Sequence, residues 1–281
     1  MSWGSMRLAD LGELGLLAEL ERRGLALGIE NDAAELPGGR VVTQDALVEG
    51  VHFRLDWISW RDLGFRAAAV NLSDLAASGA EPEGLVVSLA ARSDTAVSDV
   101  VELYEGLAEA GVPVIGGDTS ASDQLMLSVT ALGRSERVPG RAGAVPGDTL
   151  VLTGPLGAAG AAFRAQRYAR PPLRLGEGRL LAATAHALID LSDGLARDAG
   201  HIAGRSGCRL VIDLERVPLA KGATVDDLAF GEDYELLAAL PEPGGFGFTE
   251  IGRCEEGTGV ELRLSGAPVE LGGFEHFHGP R

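Results

Sequence analysis

Between residues 63 and 77 the chain reads LGFRAAAVNLSDLAA, apolar on nearly every side of a helix. A helix with no polar face is one that its neighbours cover all round. Ser59 suits the N-cap, so the predicted helix runs over 60–78. A narrow polar stripe still interrupts it: Asn71, Asp74 and Ser78 fall at i, i+3 and i+7, and Arg66 precedes them. Leu11, Leu14 and Leu17 predict a second helix over 10–23, closed by Gly24. Val97, Val100, Val101, Tyr104 and Leu107 predict a third over 95–110. Strands are predicted at 40–45 (RVVTQD), 84–90 (GLVVSLA), 112–117 (VPVIGG) and 125–133 (LMLSVTALG). A polar stretch rich in Pro and Gly follows at 134–148, the expected boundary between domains at 1–137 and 138–281. Beyond it come a strand at 149–154, a helix at 157–166, a helix entering a strand at 178–190, a helix at 192–207 and strands at 209–214, 233–240 and 249–253. The order predicts an α/β chain, more mixed (α+β) in its first half.

Composition narrows the chemistry. The 281 residues carry 24 Lys+Arg against 41 Asp+Glu, a formal charge of −17, which argues against a nucleic-acid partner. Lys221 is the sole lysine, and it lies in no G-x-x-x-x-G-K-[ST] context, so a nucleotide would not be held by a P-loop. Cys208 and Cys254 are far apart and lack zinc-ligand spacing. No apolar run of about 20 residues predicts a membrane span. The N-terminal segment lacks the layout of a signal peptide, so the expected location is the cytoplasm.

Aspartates recur where apolar segments end. Asp45 closes VVTQD, Asp118 follows VIGG, Asp190 and Asp193 flank Ser192 in LIDLSDG, and Asp32 lies in IEND. Asp74 sits on the buried helix, where a carboxylate without a partner is costly. Taken singly, each could cap a helix or pair with an arginine. Together, with no Cys or His cluster beside them, they suit hard cations such as Mg²⁺ holding a polyphosphate.

The ordered motifs LGELGLL, LGIENDAA, TQDALVEGVHF, AVNLSDLAASGA, IGGDTS, VTALG, GRAGAVPGD, LTGPLGAAG, IDLSDGLARD, GEDYELL and FEHF cover nearly the whole chain. In them the chain resembles the thiamine-monophosphate kinase family, part of the superfamily of aminoimidazole ribonucleotide synthetase. The resemblance implies a two-domain fold whose N-terminal sheet pairs with that of a second subunit in a homodimer. It implies ATP as co-substrate, thiamine phosphate as acceptor and several Mg²⁺ ions. Carried over by motif, Asp32, Thr43, Gln44, Asp45, Asp74, Asp118, Asp190 and Asp193 resemble the magnesium site. Gly117, Asp118, Arg141 and Ser192 resemble the ATP contacts, and His52, Glu232 and Phe274 the thiamine phosphate contacts. The sequence does not separate Glu232 from its neighbour Asp233.

The chain departs from the family pattern at Glu30-Asn31-Asp32, where Gly-Asp-Asp is usual, and at Gln44, where Thr is common. The implied reaction needs no strong general base, because the attacking phosphate is already anionic. Two alternatives stand beside it: another ATP-using member of the superfamily, and a non-catalytic Mg²⁺–nucleotide-binding regulator.

Overall fold

The computed structural model describes residues 7–26, 30–242 and 247–277. It is a mixed α/β structure with two sheets, the first built between residues 34 and 134, the second between 149 and 269. Helix α1 (Leu8–Arg22) precedes β1 (Ala34–Leu36) and β2 (Arg40–Val48). Then come α2 (Trp60–Ala77), β3 (Glu81–Ala91), α3 (Val97–Glu109), β4 (Val114–Ala121) and β5 (Met126–Arg134). The first sheet has the order β1-β2-β5-β3-β4, antiparallel except for the β3–β4 pair.

One face of this sheet is packed. Leu127, Val129 and Ala131 of β5 alternate inward, in the period of two that a half-covered strand shows. On β2 the same face carries Val41, Thr43, Asp45 and Leu47, so two polar groups replace core residues beside α2. Helix α2 starts where expected: the Ser59 hydroxyl accepts the Asp62 N–H at 3.1 Å. It crosses α3 with the backbones touching. A Cβ on Gly64 would lie 1.8 Å from the Leu103 carbonyl oxygen, and one on Gly106 would lie 1.9 Å from that of Arg61. Only glycine allows that approach.

The second series comprises β6 (Thr149–Leu152), α4 (Ala158–Arg164), α5 (Leu175–Ala182), β7 (Ala187–Asp190), α6 (Leu195–Ser206) and β8 (Arg209–Asp213). It continues with β9 (Leu236–Leu240), β10 (Thr249–Glu255), β11 (Gly259–Leu264) and β12 (Ala267–Val269). Its sheet has the order β12-β11-β8-β10-β6-β9-β7. Only β8 and β11 pair in parallel, so the α/β alternation of the sequence does not build a parallel sheet here.

Helix α2 joins the two halves. Its C-terminal Ala76 and Ala77 pack with Val151, Leu188, Leu236 and Ala238 of the second sheet. That burial on both sides explains why the helix has no polar face. Cys208 and Cys254 are free thiols inside the second core. Among the described residues, no helix is long and apolar enough to cross a membrane.

Candidate active site

Where α2 passes between the sheets lies a cavity of about 500 Å³, within the range that small-molecule sites occupy. Residues of β2, α2, the end of β7 and the start of α6 line it. Helix α1 lies half-buried over the cavity, contributing Glu13, Leu14 and Leu17 to its wall.

Carboxylates converge there from both halves. Asp32, Asp74 and Asp190 each offer an oxygen, and the three atoms lie within 4.8 Å of one another. The Thr43 hydroxyl donates to Asp74 at 2.5 Å, and the Ser73 hydroxyl donates to Asp190 at 2.7 Å. The Arg141 guanidinium donates to Asp32 through Nε at 3.1 Å and Nη2 at 2.5 Å. Asn71, also on the polar stripe, accepts the Asp45 N–H at 3.0 Å.

Burial and mutual repulsion make these acids reluctant to ionise. Desolvation, then the neighbouring Asp32, raise Asp190 to about 8. Asp45 is raised to about 6, again chiefly by burial, with Asp193 and Asp32 adding to it. Asp74 is held well above the usual carboxylate range by burial and by Asp45, Asp190 and Asp32. Burial also raises Asp32, although Arg141 pulls the other way. Such a group of acids fits a hard divalent cation, which supplies the missing positive charge and accepts only oxygen donors.

Another acid on the cavity wall has a different partner. Glu232 lines the cavity, and its carboxylate Oε1 lies 2.7 Å from Nη2 of Arg66. Asp233 turns away: both its oxygens accept the Gly157 N–H at 2.9 Å, at the start of α4. The structure therefore separates the two acids that the sequence leaves together. His52 Nδ1 accepts the Val48 N–H at 3.1 Å, which sets the neutral ring's proton on Nε2, and the ring faces the cavity.

Eleven of the residues singled out from sequence line this one cavity: Asp32, Thr43, Gln44, Asp45, His52, Asp74, Arg141, Asp190, Ser192, Asp193 and Glu232. Gln44 does so in a particular way. Its side chain projects to the sheet's other face, where it accepts the hydroxyl of its cross-strand partner Thr130 at 3.0 Å. Three residues are not on the cavity wall. Phe274 stacks edge-on to His276, which is, with centroids 4.8 Å apart, and its N–H donates to the Asp193 carbonyl. Gly117 and Asp118 lie on the exposed edge strand β4. That strand does not stop at Gly-Gly, as the sequence leads one to expect, but runs through Asp118 to Ala121. A Cβ on Gly117 would lie 1.9 Å from the Val87 carbonyl oxygen, so glycine serves the β3–β4 contact there.

Other residues of the site escape the sequence reading. Ser73 is hidden inside the apolar run, yet it ties α2 to Asp190. Arg197 and His201 continue from Asp193 at i+4 and i+8, a helical spacing that could have revealed them. His201 is lowered to about 4 by burial and by Arg141, Arg197 and Arg205, so its ring is neutral at physiological pH.

Comparison with known proteins agrees with this architecture. The family described as AIR synthase related protein, N-terminal domain, matches residues 30–135, and its C-terminal counterpart matches residues 145–245. Thiamine-monophosphate kinase of Aquifex aeolicus is 35% identical over 97% of this chain and 100% of its own length. That of Methanopyrus kandleri is 38% identical over 83% of this chain and 84% of its own. A solved structure of AaThiL complexed with AMPPCP and TMP superposes with a TM-score of 0.90 at 34% identity, covering 97% of this chain and 99% of that one. On the identity and the coverage of these relatives, the chain belongs to the thiamine-monophosphate kinase family.

Proposed function

We propose that this chain transfers the γ-phosphoryl group of ATP directly to the phosphate of thiamine phosphate, giving ADP and thiamine diphosphate. The observation that carries this reading is the meeting of Asp32, Asp74 and Asp190 in one cavity that Glu232 also lines. The aspartate cluster suits phosphates and their cations, and Glu232 a cationic organic group.

Asp32, Asp45, Asp74, Asp190 and Asp193 would hold magnesium, with Thr43 supporting Asp74 and Gln44 limited to its main chain. Bound Mg²⁺ supplies charge neutralisation between donor and acceptor phosphates, which otherwise repel. The chain's own residues orient the reactants. Arg141 grips oxygen bidentately, as a guanidinium does a phosphate. His52 offers an Nε2–H donor, and Ser192 a hydroxyl. No residue needs to remove a proton, since the acceptor phosphate is already an anion. The neutral His201 and the tethered His52 accord with that.

Gly117 and Asp118 would meet ATP through a dimer. The β4 edge is unpaired in the single chain and exposes Ile115, an invitation to pair with a second copy. The domain boundary at 137/138 and a cytoplasmic location complete the reading. An assay of ADP and thiamine diphosphate formation, with and without thiamine phosphate and with and without a chelator, tests it. Equal yields of the two products, dependent on both thiamine phosphate and Mg²⁺, are expected. ATP hydrolysis indifferent to thiamine phosphate, or no turnover at all, would refute it.

A further inference from the structure

Arg66 is fully buried within α2, one helical turn from Val70 and two from Asp74, both of which line the cavity. Arg66 itself lies behind that wall. Its side chain is 2% exposed and its partner Glu232 is 3% exposed, with Nη2 and Oε1 2.7 Å apart. The guanidinium carbon lies 5.2 Å from the Tyr168 ring centroid. Neither Nε nor Nη2 completes a hydrogen bond of good geometry, so charge rather than a fork of hydrogen bonds holds this pair. Burial works against the cation, but Glu232 and then Tyr234 outweigh it and keep Arg66 charged.

The loop carrying Glu232 is fixed with unusual care. Glu232 and Tyr234 both have positive φ, 60° and 53°, a conformation that non-glycine residues hold only where surroundings enforce it. The enforcement is visible: the Glu232 N–H donates to Ser192 at 2.8 Å, and the Tyr234 N–H donates to Leu191 at 2.8 Å. So Glu232 is anchored to the strand end that carries Asp190, while Arg66 is on the helix that carries Asp74.

The guanidinium behind the wall fixes where the Glu232 carboxylate points, because the two groups are buried together 2.7 Å apart. A carboxylate held in this way is a good acceptor for N–H donors. Asp74 and Asp190 are held differently, accepting hydroxyl hydrogen bonds from Thr43 and Ser73. We propose that Arg66 is a positioning residue for Glu232. From behind the wall it holds the Glu232 carboxylate turned to the cavity, so that Glu232 accepts hydrogen bonds from an amino-bearing aromatic heterocycle on the acceptor. This deepens, and rests on, the kinase reading above.

The test compares the wild-type enzyme with Arg66→Met, Arg66→Lys, Glu232→Gln and the double variant Arg66→Met/Glu232→Gln, each checked by thermal melting. KM for thiamine phosphate, KM for ATP and the Mg²⁺ dependence are measured separately. Losing the cation raises KM for thiamine phosphate about tenfold or more, the scale of a lost charged hydrogen bond. KM for ATP and the Mg²⁺ dependence stay within about twofold of wild type, a split that general loosening of the fold would not produce. Arg66→Lys keeps the charge and regains part of the loss. The double variant is no worse than Glu232→Gln alone, because both act through one contact. Unchanged KM for thiamine phosphate in Arg66→Met, or equal losses toward both substrates, overturns the proposal. Should Arg66→Met fail to fold, the double variant, which leaves no buried charge unpaired, decides. A KM for thiamine phosphate clearly above that of Glu232→Gln then counts against the proposal, and an equal one supports it. Wild-type protein without thiamine phosphate kinase activity would overturn the functional reading instead.

Discussion

Replacing Asp190 with Asn should stabilise the protein while impairing its chemistry. Asp190 is 3% exposed and its carboxyl is raised to about 8, by burial first and by Asp32 next. The folded state therefore binds this proton more tightly than the unfolded state, whose aspartates titrate near 4. Below about pH 4 the group is protonated in both states and costs nothing. As pH rises towards 8, stability is progressively lost. A rise from 3.8 to about 8 corresponds to roughly 6 kcal/mol at full ionisation in a rigid site. Water or cations entering the cluster lower that figure, so a gain of about 2 kcal/mol is expected for the amide at pH 8. Asn is isosteric, and its carbonyl can still accept the Ser73 hydroxyl. For a chain of this size the gain amounts to roughly 4–8 °C in Tm. The assay is thermal melting of both proteins in chelator at about pH 4.5, 6 and 8, repeated with Mg²⁺. The variant should melt higher at pH 8 and nearly level at pH 4.5, and added Mg²⁺ should raise the wild-type Tm more. A variant no more stable than wild type at pH 8 without divalent cations, or one gaining equally at every pH, would refute the argument.

Asp118→Asn should lower turnover by about 100-fold or more while leaving the melting temperature unchanged, because the residue is on an exposed strand yet is proposed to act on ATP and its metal; kcat and circular dichroism check the two halves. The chain should sediment as a dimer through β4, and a concentration-independent monomer would contradict this. Asn31→Asp should shift the apparent Mg²⁺ requirement modestly with the maximal rate nearly kept, since the Asn31 Oδ1 accepts the Arg141 N–H at 3.0 Å and an Asp oxygen can do the same. Asp32→Asn should be far more damaging in the same Mg²⁺ titration, because it removes a carboxylate of the cluster and the partner of Arg141.

The sequence made the site more legible than the sheets. An all-apolar helix with a polar stripe points to burial between two bodies, and α2 meets both sheets. Asp32, Asp45, Asp190 and Asp193 likewise converge on one cavity, because β2, the end of β7 and the approach to α6 line it. What stayed hidden depends on partners distant in sequence. Strands β1, β11 and β12 are short, and their pairing, such as Glu261 with Val211, leaves little local trace. Asp118 looks like a strand terminus because Gly-Gly usually ends regular structure. The strand continues because it pairs with β3 through Ser88 and needs only backbone to do so. Ser73 could not be told from its helical neighbours, since only the arrival of Asp190 gives its hydroxyl a task.

The use of arginine follows from the same geometry. Three arginines that meet functional carboxylates, Arg66 on Glu232, Arg141 on Asp32 and Arg197 on Asp193, are largely withdrawn from water. A lysine so placed can shed its charge, whereas a guanidinium stays cationic under any condition a folded protein experiences. In a cavity already crowded with acids that resist ionisation, a cation that could be neutralised would make the charge balance vary with pH. Fixed positive charge at Glu232, Asp32 and Asp193 keeps part of the charge balance constant across the range in which Asp45 and Asp190 titrate. The negative charge that these arginines leave unbalanced in the aspartate cluster is what a divalent cation would settle, and the phosphates would follow that cation.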